Sequence, residues 1–163
     1  VGQGIKKLNG QPLIYSTGPN AGLYVKEENV PLGSVLPKFK GGWLNTVTFK
    51  NVILRFNTDF VVGGKFFSTT KMFNAYSGLG AETAGLNELG NPVRDPVLTG
   101  ADAAKSGGVL LAGVTEDGQP NTIRVGAQNL YENWLFALNE RWIYDKTYVK
   151  LREVSLGYNI PKR

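Results

Sequence analysis

The chain has 163 residues, enough for one ordinary domain, and a net charge of +5. It contains neither cysteine nor histidine, which excludes a disulfide framework, a thiolate metal site and the commonest general base. The Lys and Arg residues form no run with interleaved aromatics, so nucleic-acid binding is a poor explanation of the charge. The 21 glycines and 11% aromatic residues are typical of a β-rich chain with many loops.

Residues 1–40 carry turn signals that divide them into short segments. The signals are Asn9-Gly10, Gly18-Pro19-Asn20 and Pro31-Leu32-Gly33. Between them, residues 12–15 and 22–26 are predicted to be extended, and no helical periodicity is present. We therefore expect loops and short strands in this part of the chain.

Residues 41–62 have the alternation of a β-hairpin that turns at Lys50-Asn51. After the turn, the even-numbered positions are almost all apolar, whereas the charges fall on odd-numbered positions. A two-residue turn, in which Asn51 would tolerate a positive φ, pairs Phe49 with Val52. This register places the apolar positions of both arms on one face, and a slip of one residue would destroy the match.

Residues 63–144 form a connection of roughly eighty residues between two predicted strands. Connections longer than about 15 residues are uncommon and are usually functional. Within this connection we predict a helix over residues 68–76, with Ser68 as its N-cap and Gly78 beyond its end.

Two further elements are predicted inside the long connection. Residues 109–114 and 122–125 flank Asp117-Gly118, which predicts a small hairpin. Residues 127–138 are predicted to form a short amphipathic helix, because apolar residues recur there at helical spacing. These residues are Leu130, Trp134 and Leu138.

Residues 145–161 contain a third strand, predicted over residues 148–160 and ended by Pro161. From residue 153 onward the even-numbered positions are apolar, but before it the odd-numbered positions Val149 and Leu151 are apolar. A phase change within a strand predicts a β-bulge, or a wall whose upper part faces different surroundings.

This alternation is compatible with either a soluble sandwich or a membrane barrel, because both have one apolar and one polar face. The longest apolar run, residues 109–114, is too short for a transmembrane helix, so a membrane role would require a barrel wall. Two features favour a barrel. One end of the hairpin has a short turn and the other a long connection. Eleven residues at about 3.3 Å each, tilted by about 40–45°, span roughly 25 Å, the height of the apolar band.

Several stretches then resemble those of a known family. Residues 38–51 are K-F-K-G-G-W-L-N-T-V-T-F-K-N, and residues 143–161 are I-Y-D-K-T-Y-V-K-L-R-E-V-S-L-G-Y-N-I-P. They resemble the P-x-F-x-G-G-F-x-N-x-F-x-Y-K stretch and the D-x-S-Y-x-(R/K)-L-R-x-V-x-L-G-Y-x-(L/I)-P signature of the SusC/RagA-type TonB-linked outer-membrane proteins. Residues 61–65 resemble the strand end that follows the first stretch, and residues 16–22 resemble the peptide- and glycan-importing members. The resemblance covers most of the chain, with its pieces in the family's order.

The resemblance implies an all-β fold, namely a segment of a large antiparallel transmembrane β-barrel with a long, partly helical extracellular loop. Residues 1–163 would belong to one barrel domain: loop and short strands (1–40), hairpin (41–62), extracellular loop (63–144) and strand (145–161). The family's plug, its TonB-contacting segment and its last strands are not matched, so the chain resembles an internal piece of a longer protein.

The resemblance also implies a function and partners. Family members lie in the outer membrane of Gram-negative, Bacteroidota-type bacteria and import glycans or peptides. They take energy from TonB through the plug, and a SusD-like surface lipoprotein closes them. We therefore expect a transporter segment that contacts outer-membrane lipid, has no cofactor and no metal, and is not an enzyme.

Mapped onto this chain, the resemblance assigns faces to the strands, with Lys50-Asn51 and Pro161 on the periplasmic side. The residues expected to face lipid are Val52, Leu54, Phe56, Phe60, Val154, Leu156, Tyr158 and Ile160. The residues expected to face the lumen and plug are Arg55, Asn57, Asp59, Glu153, Ser155 and Asn159, which on the alternative interpretation form only a solvated face. In the long loop, the candidates for stacking on a sugar ring are Tyr131, Trp134 and Phe136, with loop core as the alternative.

Two other classes of protein compete with the importer. The first is a soluble β-sandwich carbohydrate-binding module. The second is a carbohydrate-active enzyme, which would need a carboxylate pair, but no spacing among the acidic residues supports such a pair or a Ca²⁺ site. The acidic residues considered are Glu82, Glu88, Asp95, Asp102, Glu116 and Asp117.

Overall fold

The computed structural model describes residues 1–161 and divides the chain into two compact units. The first unit comprises Val1–Leu32 and Phe67–Ile143, and the second comprises Gly33–Phe66 and Tyr144–Arg163, the latter described to residue 161. Strands contain 39% of the residues and helices 19%, so the predicted predominance of β-structure is confirmed. The sheets formed by residues 1–161 are small, and none of them is closed. No helix between residues 1 and 161 has the length and hydropathy needed to cross a membrane.

The second unit is built on a three-stranded antiparallel sheet. Its strands are β5 (Phe39–Phe49), β6 (Val52–Val62) and β11 (Tyr148–Tyr158), each of 11 residues. Strand β6 lies in the middle, so the order is β11–β6–β5. Two shorter strands, β7 (Lys65–Phe67) and β10 (Ile143–Asp145), pair with each other.

The predicted hairpin register between β5 and β6 is confirmed. Phe49 lies opposite Val52, and the pairing continues in register to Phe39 opposite Val62. At the turn, Lys50 has the positive φ, 50°, although the sequence pointed to Asn51 as the residue that tolerates it. The match of apolar faces therefore fixes the register even though the turn places a lysine in the left-handed region.

Packing explains why position 41 of the hairpin is a glycine. It lies directly opposite Phe60, and a Cβ at Gly41 would come within 2.7 Å of the Phe60 ring. The ring therefore covers the glycine, and it also packs at 5.5 Å, centroid to centroid, from the ring of Phe39. An aromatic residue that covers a strand glycine in this way helps to fix the pairing register.

The predicted irregularity in the third strand is a β-bulge at Arg152. Leu151 pairs with Thr58 and Glu153 pairs with Asn57, so Arg152 is the extra residue of β11. The strand ends at Tyr158, two residues earlier than predicted. Ile160 and Asn159 therefore lie beyond the strand, although the backbone N–H of Asn159 still donates to the Asn51 carbonyl at 2.7 Å.

The first unit contains short strands and helices. The strands pair as β1 (Gly2–Ile5) with β4 (Lys26–Val30), β2 (Lys7–Leu8) with β3 (Gln11–Pro12), and β8 (Val109–Leu110) with β9 (Arg124–Val125). The helices are α1 (Thr69–Tyr76), the 3₁₀ helices Ala81–Thr83, Gly100–Lys105 and Asn139–Trp142, and the π-helix Asn129–Leu135.

The first unit has its own hydrophobic core. Trp142, Leu138 and Ile14 are fully buried in it, and the Trp142 indole N–H donates to the Leu135 carbonyl at 2.7 Å. Ile14 comes from the N-terminal segment and Trp142 from the end of the long connection. Segments that the sequence presented as separate loops therefore fold together around shared apolar residues.

Two predicted elements of the long connection are confirmed. Helix α1 begins after Ser68, whose hydroxyl accepts from the Lys71 amide, and Gly78 follows its end with a φ of 73°. The predicted hairpin is also present, but its strands β8 and β9 are only two residues long.

The helix predicted over residues 127–138 is shorter and of a different kind. Residues 129–135 form a π-helix, in which backbone hydrogen bonds join residues five apart. Leu130 and Leu135 are both buried, whereas Trp134, expected to share the face of Leu130, is only half-buried.

Deletion of Arg152 should lower the stability of the sheet no more than Arg152→Ala does. Both changes remove the Arg152 side chain, and the deletion leaves Leu151 next to Glu153, so the strand alternates regularly without a bulge and Val149 and Leu151 stay on the apolar side. The check is the urea midpoint of the intact protein, followed by circular dichroism. A clearly lower midpoint for the deletion than for the substitution would show that the bulge does more than absorb one extra residue.

Candidate functional site

The three-stranded sheet has one almost entirely apolar face, which we call the apolar face. The bulge matters here, because it brings Val149 and Leu151 to the same side as the apolar residues that follow it. The residues of the face, from the alternation and the pairing register, are Phe39, Gly41, Trp43, Asn45, Val47, Phe49, Val52, Leu54, Phe56, Thr58, Phe60, Val62, Val149, Leu151, Val154, Leu156 and Tyr158.

The apolar face is exposed. Leu156 and Val149 expose 75% and 74% of their surface, and Trp43 exposes 62%. None of the described residues of the second unit is buried, so this unit has no hydrophobic core of its own. Seven of the eight residues predicted to face lipid lie on this face within strands, and Ile160 lies beyond the end of β11.

The opposite face carries polar and charged side chains. Five of the six residues predicted to face the lumen alternate with the apolar ones here, and Asn159 lies beyond the strand end. They are joined by Arg152, whose guanidinium donates to both carboxylate oxygens of Asp59 at 2.7 Å. The Tyr148 hydroxyl lies 3.5 Å from one of those oxygens. A bidentate pair of this kind fixes the direction of both side chains.

The first unit contains a pocket of about 370 Å³ beside the C-terminal end of α1. It is lined by Ala75, Tyr76, Ser77, Gly78, Thr83, Arg94, Ala127, Gln128, Tyr131 and Glu132. The Arg94 guanidinium donates to the Gly78 carbonyl and, at 2.8 Å, to the Thr83 carbonyl. The side chains of Gln128 and Glu132 are joined by a 2.9 Å hydrogen bond.

Three aromatic side chains, Phe73, Tyr76 and Phe136, pack together and form what we call the aromatic rim. The Phe136 ring centroid lies 4.7 Å from that of Tyr76 and 5.6 Å from that of Phe73. Phe73 remains 54% exposed and Tyr76 43% exposed. Because Tyr76 also lines the pocket, the rim and the pocket are continuous.

The structure separates the three predicted sugar-stacking residues. Tyr131 is buried and donates its hydroxyl to the Glu82 carbonyl at 2.7 Å, and burial raises the pKa of that hydroxyl. Trp134 donates to the Tyr24 carbonyl at 3.0 Å, and the Lys26 ammonium lies 4.1 Å from its ring centroid. Phe136 alone belongs to the aromatic rim.

Sequence reasoning missed Phe73 and Tyr76. The sequence spacing could have identified them, because two aromatic residues three apart on a predicted helix share one face. The acidic residues considered for metal binding or catalysis are not brought together. Within residues 1–161 no group of three or more His, Cys, Asp or Glu is placed to hold a metal ion.

Comparison with known proteins adds no relative. No protein-family model matches the chain, and no curated protein matches it. The features that bear on function are therefore the geometry of the apolar face, the polar face and the pocket.

Asp145 should make the local stability of the segment around β10 depend on pH in the acid range. The Thr147 hydroxyl, the Thr147 amide at 2.7 Å and the Lys65 ammonium at 3.3 Å lower the pKa of Asp145 to about 2. Because the pKa is lowered on folding, the stabilisation is present above the ordinary pKa of the carboxyl and is lost as the pH falls through about 2.

We expect Asp145→Asn to increase pepsin cleavage near residue 147 at about pH 4, and to have no effect below about pH 2. Cleavage sites and rates can be followed by mass spectrometry. Asp102→Asn is the control, because that exposed carboxylate bonds only to Lys105 within its own 3₁₀ helix. An acid dependence that is the same with and without the Asp145 carboxylate would contradict the assignment.

Proposed function

We propose that this chain is a segment of an outer-membrane nutrient importer of the SusC/RagA type. In this proposal β5, β6 and β11 are part of the wall of a large transmembrane β-barrel. The importer takes up a glycan or a peptide with energy from TonB, through a plug that these residues do not include, and works with a SusD-like surface lipoprotein. It contains no catalytic centre.

The observation that carries the proposal is the exposed apolar face of a unit without a core. A sheet exposing this many apolar side chains to water would be unusual, since large exposed apolar patches mark contact surfaces. The hydrocarbon interior of a membrane would cover these apolar side chains. Strands of 11 residues, at about 3.3 Å per residue and tilted by about 40–45°, also match the roughly 25 Å height of a barrel's lipid-facing band.

The open edges of the sheet support the same proposal. Strands β5 and β11 are its two outer strands, so each presents one unpaired row of backbone groups. In a bilayer such groups must be paired, which only a closed barrel achieves for strands. The proposal therefore requires further strands on both sides of this sheet.

The polar face and the connections fit a transporter wall. Arg55, Asn57, Asp59, Glu153 and Ser155 would point to the lumen and plug, as interior-facing residues of large barrels do. The two-residue turn at Lys50-Asn51 would be periplasmic. Residues 63–144, the long connection, would lie on the extracellular side, where outer-membrane barrels have their long loops.

Phe56→Arg and Asn57→Arg test the proposal as a matched pair. These neighbours lie at the middle of β6 and point to opposite faces. On the lipid face near the bilayer midplane an Arg costs about 2–4 kcal/mol, whereas a lumen-facing Arg is far less costly. We expect Phe56→Arg to reduce the folded protein in the outer membrane and Asn57→Arg to leave it near the wild-type level.

The measurement is the heat-modifiable band of the intact protein in outer-membrane fractions of the bacterium that encodes it. Equal effects of the two substitutions would contradict a lipid-facing assignment. A monomeric protein that folds cooperatively in water without detergent would instead identify a soluble β-sandwich carbohydrate-binding module.

A further inference from the structure

We propose that the pocket beside α1 and the aromatic rim form a binding site for a neutral oligosaccharide. One sugar ring stacks on the rim, and its hydroxyl groups bond within the pocket. This inference deepens the proposed function by naming a substrate class, and it rests on the proposed function for the role of the site in import. The binding itself depends only on residues of the first unit.

The rim supplies exposed aromatic surface next to a polar cavity. Aromatic side chains offer flat apolar faces, and a sugar ring presents C–H groups on an apolar face of its own. Phe73 and Tyr76 remain about half exposed although both pack against Phe136. Packing against one another holds the rings in place before a ligand arrives, so little side-chain entropy would be lost on binding.

The pocket supplies hydrogen-bonding groups with almost balanced charge. Its two charged side chains are Arg94 and Glu132, of opposite sign. Arg94 already donates to backbone carbonyls at the end of α1, and Glu132 already accepts from Gln128. The C-terminal end of a helix also disfavours anions. A neutral ligand with many hydroxyl groups therefore matches this lining better than an acidic one does.

The elements that line the pocket favour a sugar over a peptide. They are the end of α1, the turns that follow it and the first residues of the π-helix region, and no lining residue belongs to a strand. An extended peptide that binds by adding a strand needs a free strand edge, which this pocket lacks. A volume of about 370 Å³ lies at the lower end of the range of small-ligand pockets, roughly 300–1,000 Å³.

Two substitutions test the site, each with a matched control. Phe73→Ala removes a rim ring, and Phe66→Ala removes a phenylalanine of similar exposure that packs on Tyr144 in the other unit. Gln128→Ala removes an exposed pocket amide. Gln119→Ala removes an exposed amide that does not line this pocket.

The probes are linear neutral hexasaccharides of glucose, mannose, galactose and xylose, a hexamer of galacturonic acid and a mixed-sequence decapeptide. Binding to the intact, detergent-purified protein is measured by titration calorimetry. We expect at least one neutral hexasaccharide to bind. Phe73→Ala and Gln128→Ala should each weaken this binding by about tenfold, and the two controls by less than about twofold.

The inference is overturned if no neutral hexasaccharide binds, if the four variants have equal affinities, or if the acidic hexamer or the peptide depends on Phe73 and Gln128 instead. Its failure is separable from that of the proposed function. All four variants should keep the wild-type heat-modifiable band in the outer membrane, because none lies on the apolar face. If the protein binds a glycan through the pocket but is absent from the outer membrane, the inferred binding site stands and the proposed importer function fails.

Discussion

The fold of the second unit depends on a continuous apolar face across three strands, and the β-bulge at Arg152 maintains that continuity. If Arg152 took part in a regular ladder, the apolar positions before and after it would lie on opposite faces, because side chains alternate with a period of two. The bulge moves Val149 and Leu151 to the apolar side. It also releases the Arg152 side chain to the polar side, where it binds Asp59. A single insertion thus serves both faces.

The two units differ in where they place their apolar residues. All residues of the described chain that are buried belong to the first unit, which surrounds Trp142, Ile14 and Leu138 with its own segments. The second unit places its apolar residues outward and buries none of them. Hydrophobic burial is the main favourable term in folding, so a sheet of this kind needs an apolar environment that it does not itself supply.

The sequence predicted the sheet well and the first unit poorly, for physical reasons. The register of β5 with β6 follows from alternation alone, and the phase change at Leu151 and Glu153 marks the bulge directly. By contrast, residues 1–32 and 67–143 share a core through contacts far apart in sequence, which no local pattern reveals. The π-helix was missed because Leu130 and Trp134 suit an α-helical period, whereas tertiary packing selects Leu130 and Leu135.

Two polar residues, Asn45 and Thr58, interrupt the apolar face among aromatic and aliphatic neighbours, and the Asn45 side-chain N–H₂ is buried without a hydrogen-bond partner in the described residues. An unpaired amide in an apolar setting is costly, so it is normally satisfied by a neighbouring group. Asn45 lies directly opposite Phe56, whose ring packs edge-on against that of Trp43. Atoms of this chain already cover the amide nitrogen, so neither water nor a group beyond the sheet edge reaches it in this arrangement. Asn45 is therefore a local cost to the sheet, in contrast to the apolar residues that surround it.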